Sequence, residues 1–329
     1  MDLTGEELNI TIILRIHNRK QYFKEAAESI IHQKFPNKNV DILILTNVKE
    51  ASEYFETLKE VRSSVYFYEK GNEGEVLSQG IKESTGSILC FLDDDDLWEN
   101  DKLLVVSNAF KRFENLGYFH NGVVPFSSIP SRMKRRVYER KPRVKSLYVS
   151  NAEKTRMIRS ILGYYPDFNL SSVCISRKLM SRRIEELAKI KTSPDTFIFY
   201  CALESKYGLL LDERPLTFYR HHEGHSSASD PKNENWNKAV MESHKMMYDI
   251  FSKSEPCLRN ISRRRVALTT IQTSILTGNT TIKDSLKNFL AYVGIFLNSR
   301  LPIDFLVIFL YGIFMINKDL ARKIYFRFM

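Results

Sequence analysis

Short apolar runs alternate with amphipathic segments in the N-terminal part of the chain, and this pattern limits the possible folds most. The runs Ile10–Ile16 and Val40–Thr46 are rich in β-branched and other apolar residues, as strands buried on both faces are. Two further runs, SVYFYE and SILCFL, predict a third and a fourth strand, and segments with helical spacing of apolar residues lie between the runs. The alternation predicts an α/β fold with a doubly wound, mostly parallel sheet and helices on both faces.

Four consecutive aspartates, Asp93–Asp96, directly follow the fourth predicted strand. Adjacent carboxylates repel each other, so we expect a metal ion, a cluster of basic side chains or bulk solvent beside them. Ligands of open α/β sheets bind outside the carboxyl ends of the strands. We therefore expect these aspartates to form a surface loop that belongs to a binding site.

The overall charge predicts an anionic partner. The formal net charge is +10, which favours nucleic acid, phosphorylated substrates or an acidic lipid surface. The segment RMKRRVYERKPRVK concentrates basic residues, but no recognition motif supports binding of nucleic acid. The four cysteines form no CxxC pair, which predicts a reducing, cytosolic environment and no structural zinc. MDLTGEELNI has no apolar h-region, so we expect no signal peptide.

Two segments, ITIILRIHNRKQYFKEAAESIIHQ and GSILCFLDDDDLWENDKL, resemble the start of a family-2 glycosyltransferase with the GT-A fold. The matching parts follow one another in the order and spacing of that family: His17-Asn18-Arg19, Ser29-Ile30…Gln33, Leu92–Asp96, Trp98 and Lys102-Leu103. The resemblance covers roughly the first two-thirds of the chain, through YRHHEGHSSAS. It implies a GT-A catalytic domain over residues 1–230 and leaves residues 231–329 as a helical C-terminal region.

The resemblance also implies a nucleotide-sugar donor and a divalent metal ion, Mn²⁺ or Mg²⁺. Cleavage of the donor leaves extra negative charge on the diphosphate, and hard cations held by carboxylate oxygens neutralise such charge. In the arrangement of the family Asp95 ligates the metal, while Asp93 or Asp94 contacts the ribose or helps to hold the site. We expect Asp96 to cap the turn before LWEN.

Further contacts with the donor are implied around YRHHEGH. His222, two places after the arginine, is the expected second metal ligand, and His221 and His225 are possible substitutes for it. We expect Arg220 to pair with the diphosphate or with a carboxylate of the core. The resemblance implies nucleotide-sugar contacts by Ile16, Asn18, Arg19, Thr46, Asn47, Asp93, Asp94 and Arg220.

Sugar transfer needs a base that removes the proton of the acceptor hydroxyl. Asp195 in SPDTF matches the position of the catalytic carboxylate in the family, although Pro194 precedes it where an acid is common. Ser193 is the expected N-cap of the helix, and the dipole there favours an ionised carboxylate. Asp195 could instead only cap its own helix, and Asp167 and Glu204 are the fallback candidates.

Three departures from the family make the identity of the donor less certain. The second strand is followed by Thr46 and Asn47 where many relatives have an acidic residue, and Arg15 stands where a proline is usual. The segment GNEGEVLSQGI lacks a basic residue that many relatives have. We expect a UDP-sugar rather than a GDP-sugar.

These features predict a metal-dependent, inverting glycosyltransferase of the hexosyltransferase type. We expect its acceptor to be a hydroxyl group of a lipid-linked or cell-surface glycan. A nucleotidyltransferase is one alternative, but RIHNRK lacks the glycine-rich loop that it would need. A GT-A-fold binding or scaffold protein without activity is the other.

The C-terminal tail is the most apolar part of the chain. FLVIFLYGIFMI (Phe305–Ile316) is apolar all round but shorter than the roughly 20 residues of a spanning helix. TIKDSLKNFLAYVGIFL has an apolar helical stripe, formed by Ile282, Leu286, Phe289, Leu290, Val293, Phe296 and Leu297. We expect in-plane or re-entrant helices on the anionic cytoplasmic face of the cell membrane, as in a peripheral or monotopic protein. Helices that pack on the catalytic domain or a partner subunit are the alternative.

Overall fold

The computed structural model describes residues 8–17, 20–35, 39–58, 62–127, 145–221 and 234–277, and 286–287, 289–290, 292–293, 308–309, 311–314, 316–318 and 320–321. Asn18, Arg19, His222 and His225 lie outside the described residues, as does most of the basic segment RMKRRVYERKPRVK. The chain divides into two compact units, Met1–Glu223 and Gly224–Met329.

The N-terminal unit begins with four strands that alternate with helices. These elements are β1 (Ile10–Ile16), α1 (Phe23–Ile31), β2 (Val40–Thr46), α2 (Lys49–Thr57), β3 (Ser63–Phe67), α3 (Glu73–Glu83) and β4 (Ile88–Asp93). The strands pair in parallel in the order β3-β2-β1-β4. Their carboxyl ends therefore lie along one edge of the sheet, which is where the acidic loop begins.

The second half of this unit extends the same sheet. Its elements are β5 (Leu97–Trp98), α4 (Lys102–Arg112), β6 (Leu116–Phe126), β7 (Ser146–Val149), α5 (Lys154–Leu162), β8 (Val173–Ser176), α6 (Ile184–Leu187), α7 (Pro194–Glu204) and β9 (Gly208–Arg220). The sheet continues from β4 through β8, β6 and β9 to β5, and β7 also pairs with β9. β8 is antiparallel to β4 and β6, whereas β9 runs parallel to β6.

Strand β1 lies inside the sheet with helices on both sides, which is why nearly all its residues are apolar. Ile12 and Leu14 pack in one core cluster with Ala26 and Ile30 of α1. On α3, an added Cβ at Gly80 would meet Leu45 Cδ1 at 2.5 Å, so glycine permits this helix to approach β2. The structure confirms the predicted α/β fold, a mixed and mostly parallel sheet with flanking helices and a helical C-terminal region.

The C-terminal unit contains the helices α8 (Glu234–Phe251) and α9 (Pro256–Thr277), which pack against each other. Its core joins residues of α9 with residues of the apolar tail, namely Leu268, Ile271, Ile275, Tyr292, Tyr311, Phe314 and Ala321. Five other large apolar side chains of the tail are exposed, namely Leu286, Leu290, Phe309, Ile316 and Leu320. Among the residues that are described, no helix is both long enough and apolar enough to cross a bilayer.

Candidate active site

The acidic loop is buried rather than exposed. Strand β4 ends at Asp93, and the Asp96 backbone N–H closes a turn on the Asp93 carbonyl oxygen at 3.2 Å. Asp94, Asp95 and Asp96 retain only 4%, 5% and 2% of their accessible surface. The expectation of a surface loop is therefore wrong, because β9 and the residues just before β8 cover it through hydrogen bonds to Asp96.

Asp93 is neutralised by an arginine of the neighbouring strand. Arg15 Nε and Nη2 donate to the two carboxylate oxygens of Asp93 at 2.8 and 3.1 Å, since the register of β1 and β4 pairs these two residues. Arg15 Nη1 lies 3.6 Å from Glu73 Oε2 and is a buried donor without a hydrogen bond. Burial alone would lower the pKa of Arg15, but the charges of Asp93 and Glu73 raise it. Arg15 is thus the cation that the run of carboxylates required.

Asp94 faces the turn after β1. Its Oδ2 accepts the backbone N–H of His17 at 3.0 Å. The His17 ring stacks on Tyr68 and its Nδ1 lies 2.9 Å from the Tyr68 hydroxyl. Burial raises the pKa of Tyr68 to about 12, so this phenol remains protonated. Asp94 therefore sets the backbone where His17-Asn18-Arg19 begins.

Arg220 pairs with a carboxylate of the protein, but this carboxylate is the half-buried Glu25 of α1 and not, as expected, a residue of the core. Its Nη2 donates to Glu25 Oε2, its Nε donates to the Asp95 carbonyl oxygen at 2.9 Å, and it is 4% exposed. The guanidinium lies between the rings of Tyr22 and Phe126, 4.5 and 4.6 Å from their centroids. Arg220 therefore holds the backbone of the acidic loop.

Asp96 ties the loop to distant segments instead of capping the turn before LWEN. Its carboxylate accepts the Arg220 backbone N–H at 3.1 Å and Asn169 Nδ2 at 2.9 Å. Burial, together with the charge of Asp95, raises the pKa of Asp96 to about 8. The expected local cap is wrong because two donors remote in sequence occupy the carboxylate.

Asp195 lies at the start of α7, as expected, and close to the acidic loop. Ser193 is the N-cap but makes no capping bond with its side chain, and its φ of 63° is left-handed. Asp195 Oδ1 accepts the Thr196 backbone N–H at 2.8 Å. Burial, and then the charges of Glu73 and Asp93, raises the pKa of Asp195 to about 7. The expected preference for the ionised form is thus outweighed by burial and by like charges.

The two fallback carboxylates lie in different places. Glu204 ends α7, at the far end of the helix from Asp195, and accepts two hydrogen bonds from Arg183 at 2.7 and 2.9 Å. The Glu204 carboxylate is therefore paired at the opposite end of α7 and is not available near the acidic loop. Asp167 is half-buried in the segment between α5 and β8.

The residues expected to contact the nucleotide end two neighbouring strands. Ile16 ends β1 with its side chain fully buried, so only its backbone can face a ligand. Thr46 ends β2, and its buried hydroxyl accepts the Val48 backbone N–H at 2.9 Å. Asn47 follows and is half-buried. Of these three, Asn47 is the one whose side chain can best reach a ligand.

A buried group beneath the loop was not predicted. Ser171 Oγ accepts the Asp93 backbone N–H at 3.0 Å, and the Ser171 carbonyl oxygen accepts Trp98 Nε1 at 2.9 Å and Lys102 Nζ at 2.5 Å. Lys102 also donates to Thr217 Oγ1 at 3.0 Å, and burial lowers its pKa to about 8. Trp98 and Lys102-Leu103 fit the family pattern, and they were the only sequence evidence for this group, because nothing in NLSSVC distinguishes Ser171.

The loop suits a hard cation by its chemistry, though protein groups already occupy much of it. Asp93, Asp94 and Asp96 each accept hydrogen bonds from the protein. No group of three or more His, Cys, Asp and Glu side chains in the described ranges could hold a metal ion. Carboxylate oxygens are the ligands that Mg²⁺ and Mn²⁺ prefer. A cation here would therefore need oxygens of a bound ligand besides Asp95.

Comparison with known proteins agrees with this geometry. A glycosyltransferase of Rickettsia felis, itself uncharacterized, is 34% identical over 101 residues, which are 30% of this chain and 16% of that protein. The minor teichoic acid biosynthesis protein GgaB of Bacillus subtilis is 24% identical over 259 residues, 75% of this chain and 27% of that protein. The aligned region thus spans less than a third of the length of either relative.

Solved structures show the same fold. TarS 1–349 of S. aureus in complex with UDP-GlcNAc superposes with a TM-score of 0.59 at 13% identity, over 97% of this chain and 92% of that one. The mannosyltransferase PcManGT of Pyrobaculum calidifontis, in complex with GDP-Man and Mn²⁺, gives 0.52 at 12% identity, over 97% and 88%. The family model for glycosyl transferase family 2 matches residues 11–187, more than half of the chain. The chain therefore belongs to glycosyl transferase family 2.

Proposed function

We propose that the chain is a metal-dependent, inverting hexosyltransferase that moves a sugar from a nucleotide diphosphate to an acceptor hydroxyl. The observation that carries the proposal is the position of Asp195. The Glu73 backbone N–H donates to the Lys191 carbonyl oxygen at 3.3 Å, and the Glu73 carboxylate lies 3.6 Å from Arg15 Nη1, so the segment that leads into α7 lies beside the partner of Asp93. Burial, and then the charges of Glu73 and Asp93, raises the pKa of Asp195, as expected for a candidate base near the acidic loop. We assign residues 1–230 to the catalytic domain and residues 231–329 to a helical region that associates with membranes.

The donor site in this proposal lies at the ends of β1, β2 and β4. Asn47 and the backbone of Ile16 face the nucleotide in this proposal, and Asn18 and Arg19, which lie outside the described residues, contact it as well. Asp93 and Asp94 shape the site, since each fixes a neighbouring backbone or side chain. Arg220 supports the loop and Thr46 supports the turn after β2, both indirectly. The UDP-GlcNAc complex of TarS makes a UDP-sugar the first choice of donor.

Asp95 and His222 would hold Mn²⁺ or Mg²⁺ together with oxygens of the donor. When bound, such an ion neutralises the negative charge of the leaving diphosphate. Burial and the charge of Asp95 raise the pKa of Asp96, so negative charge is unfavourable in this loop. A cation would offset that charge, which supports this part of the proposal.

Asp195 accepts the proton of the acceptor hydroxyl as that oxygen attacks the anomeric carbon. Attack from the side opposite to the leaving diphosphate inverts the configuration of that carbon. A pKa of about 7 suits the task, because a base with a pKa near the working pH is both ionised and basic enough. Arg15, between Asp93 and Glu73, limits the negative charge around Asp195.

We further propose a lipid-linked or cell-surface glycan as the acceptor, used at the cytoplasmic face of the cell membrane. The name of GgaB places that relative in teichoic acid biosynthesis, which supports a surface glycan. The net charge of +10 and the exposed apolar side chains of the C-terminal unit support an anionic lipid surface.

The test measures donor binding first. We expect UDP with Mn²⁺ to raise the melting temperature of the full-length protein more than UDP alone or GDP does, because stabilisation grows with ligand concentration over Kd. UDP-sugar hydrolysis with Mn²⁺ then reports on turnover. Asp95→Ala should abolish turnover and the effect of Mn²⁺ yet keep the contact with Arg220, because that bond goes to the backbone of Asp95.

Asp101→Ala is the matched control, a nearby carboxylate that pairs with Lys34 at 3.0 Å near the start of α4. It should bind UDP and Mn²⁺ like the unaltered protein. If neither nucleotide stabilises the unaltered protein, the donor proposal fails. If Asp95→Ala keeps normal turnover at saturating Mn²⁺, the assignment of the metal ligand fails.

A further inference from the structure

An exposed aromatic surface lies beside the acidic loop. It consists of Tyr165, Phe168, Tyr219 and His221, and we name it the aromatic surface. Tyr165 and Phe168 are 74% and 46% exposed. Phe168 meets Tyr219 edge to face at 5.4 Å, and Tyr219 meets His221 in the same way at 5.1 Å. The first two residues precede β8, and the last two are at the end of β9.

The segment that bears Tyr165 and Phe168 is anchored from below by polar contacts. The Tyr118 hydroxyl donates to the Pro166 carbonyl oxygen at 2.5 Å, and His120 Nε2 donates to the Phe168 carbonyl oxygen at 3.0 Å. Both donors are buried. These bonds fix the backbone while the two aromatic side chains stay in solvent, so the exposure belongs to a rigid segment.

The backbone of this segment is held in an unfavourable conformation. Three non-glycine residues have positive φ in the part of the chain that the structure describes: Tyr165 at 48°, Asn169 at 64° and Ser193 at 63°. Tyr165 and Asn169 bound the segment, and Ser193 precedes the candidate base. Such strain collects at sites where ligands bind or react.

Both parts of the aromatic surface are connected to the proposed reaction centre. Asn169 donates to Asp96, and so does the backbone N–H of Arg220, which lies between Tyr219 and His221. Tyr118, the residue that anchors Pro166, also packs on α7, since its ring centroid lies 6.0 Å from that of Phe199. The aromatic surface therefore borders the acidic loop on one side, and its anchor contacts the helix that bears Asp195 on the other.

The order of the strands separates this surface from the nucleotide. Ile16 ends β1 and Asn47 follows β2, on one side of β4, whereas β8 and β9 lie on its other side. A donor that spans β1, β2 and the acidic loop would leave the aromatic surface on the side from which an acceptor approaches.

We propose that the aromatic surface is the acceptor subsite and binds a saccharide ring by stacking. This inference rests on the proposed function, because it assigns the acceptor side of the same reaction. Exposed aromatic faces with adjacent polar groups suit a sugar, which has one apolar face and a rim of hydroxyl groups.

The test uses the full-length protein and saturation-transfer NMR. The probes are the methyl β-glycosides of glucose, galactose and N-acetylglucosamine, in the presence of UDP and Mg²⁺, which is diamagnetic and does not broaden their signals. We expect saturation of the ring protons on one face of at least one glycoside. Tyr165→Ala and Phe168→Ala should each weaken its binding roughly tenfold, the size of one aromatic contact. Tyr165→Phe should keep it, because the ring remains.

Phe67→Ala is the matched control, since Phe67 is an aromatic residue 51% exposed on the edge strand β3. It should bind the glycoside normally. The inference is wrong if no glycoside is saturated in the unaltered protein, or if both alanine variants bind normally. It is also wrong if they lose UDP binding, which would place the surface in the donor site, or if they change the oligomeric state. Failure of UDP binding in the unaltered protein would count against the donor proposal alone.

Discussion

Opposing electrostatic effects act on the pKa of Asp195. The start of α7 favours a negative charge, as does the hydrogen bond from the Thr196 backbone to its carboxylate. Burial and the nearby charges of Glu73 and Asp93 disfavour it more strongly, and the pKa of Asp195 rises to about 7. An aspartate with this pKa is a stronger base than an ordinary one and is still largely ionised in mildly alkaline solution.

We expect Asp195→Asn to reduce kcat on the order of 10²-fold or more while UDP still binds normally, because the amide cannot accept the proton. In the unaltered enzyme kcat/KM should rise with pH through about 7, since Asp195 must lose its proton before it can act. Steady-state kinetics and UDP titration measure both effects. Asp167→Asn is the control, and a large loss there with normal turnover of Asp195→Asn would reverse the assignment.

Stability provides a second measure of the same residue. Because the pKa of Asp195 is higher in the folded state than its ordinary 3.8, the folded state binds more protons between roughly pH 4 and pH 7. The contribution of Asp195 to stability therefore falls as the pH rises through that range. Asp195→Asn should melt at a higher temperature than the unaltered protein at pH 8 and at a similar one at pH 4.

At the scale of elements, Arg15 joins three parts of the fold. It belongs to β1, donates two hydrogen bonds to Asp93 at the end of β4 and lies beside Glu73, the first residue of α3. The start of α3 is itself fixed by a capping box between Asn72 and Glu75. One guanidinium thus compensates carboxylates from two other elements, where the helices and strands converge.

We expect Arg15→Met to lower the free energy of unfolding by about 2 kcal/mol at pH 8, because it leaves two half-buried carboxylates, Asp93 and Glu73, without their cation. The loss should be smaller at pH 5, where Asp195, with its pKa of about 7, is protonated and no longer adds negative charge beside Arg15. Burial raises the pKa of Glu73 as well, which acts in the same direction. Urea unfolding at the two pH values measures the difference.

The control for this prediction is Arg62→Met. Arg62 pairs with Asp41 at 3.0 Å, but its side chain is 65% exposed, so its loss should cost about 1 kcal/mol or less. An equal effect of both substitutions, or an Arg15→Met effect independent of pH, would contradict the role given to Arg15.

Elements in the parallel part of the sheet could be predicted well, and long-range pairs could not. β1 and β2 have the predicted bounds, because strands covered on both faces require apolar runs with abrupt ends. α1 begins at Phe23 after an N-cap, Tyr22, whose side chain makes no capping bond, so the sequence carries no clear signal for the start of this helix. The ion pair of Arg220 with Glu25 joins residues near the two ends of the N-terminal unit in sequence, and no local sequence pattern predicts it.

The acidic loop shows the same division within the site. Its position after β4 followed from the apolar run and the rule for parallel sheets. Its burial did not, because the covering groups, Asn169 and the Arg220 backbone, come from segments remote in sequence. Departures from the family pattern indicated contacts in the site better than local patterns did. Arg15 and the segment with Glu73 both differed from the family, and the two residues lie beside each other in the structure.

At the scale of the whole molecule, the C-terminal unit has two kinds of apolar surface. Phe289 packs against the core of the unit, whereas Leu286 and Leu290 of the same predicted stripe are exposed. Ile282, Phe296 and Leu297 of that stripe lie outside the described residues. Packing within the unit therefore accounts for part of the tail and leaves exposed side chains that can enter a lipid interface.

We expect the full-length protein to sediment with vesicles that contain anionic phosphatidylglycerol, and less so in high salt, which screens the basic residues. Leu290→Glu combined with Ile316→Glu should reduce binding roughly 100-fold, because each buried apolar side chain contributes about 1.5 kcal/mol or more. Leu104→Glu is the control, a leucine 42% exposed on α4 of the N-terminal unit, and should bind like the unaltered protein. Full-length protein that stays in the supernatant with these vesicles, or a double variant that still sediments, would remove the membrane assignment and with it the argument for a lipid-linked acceptor.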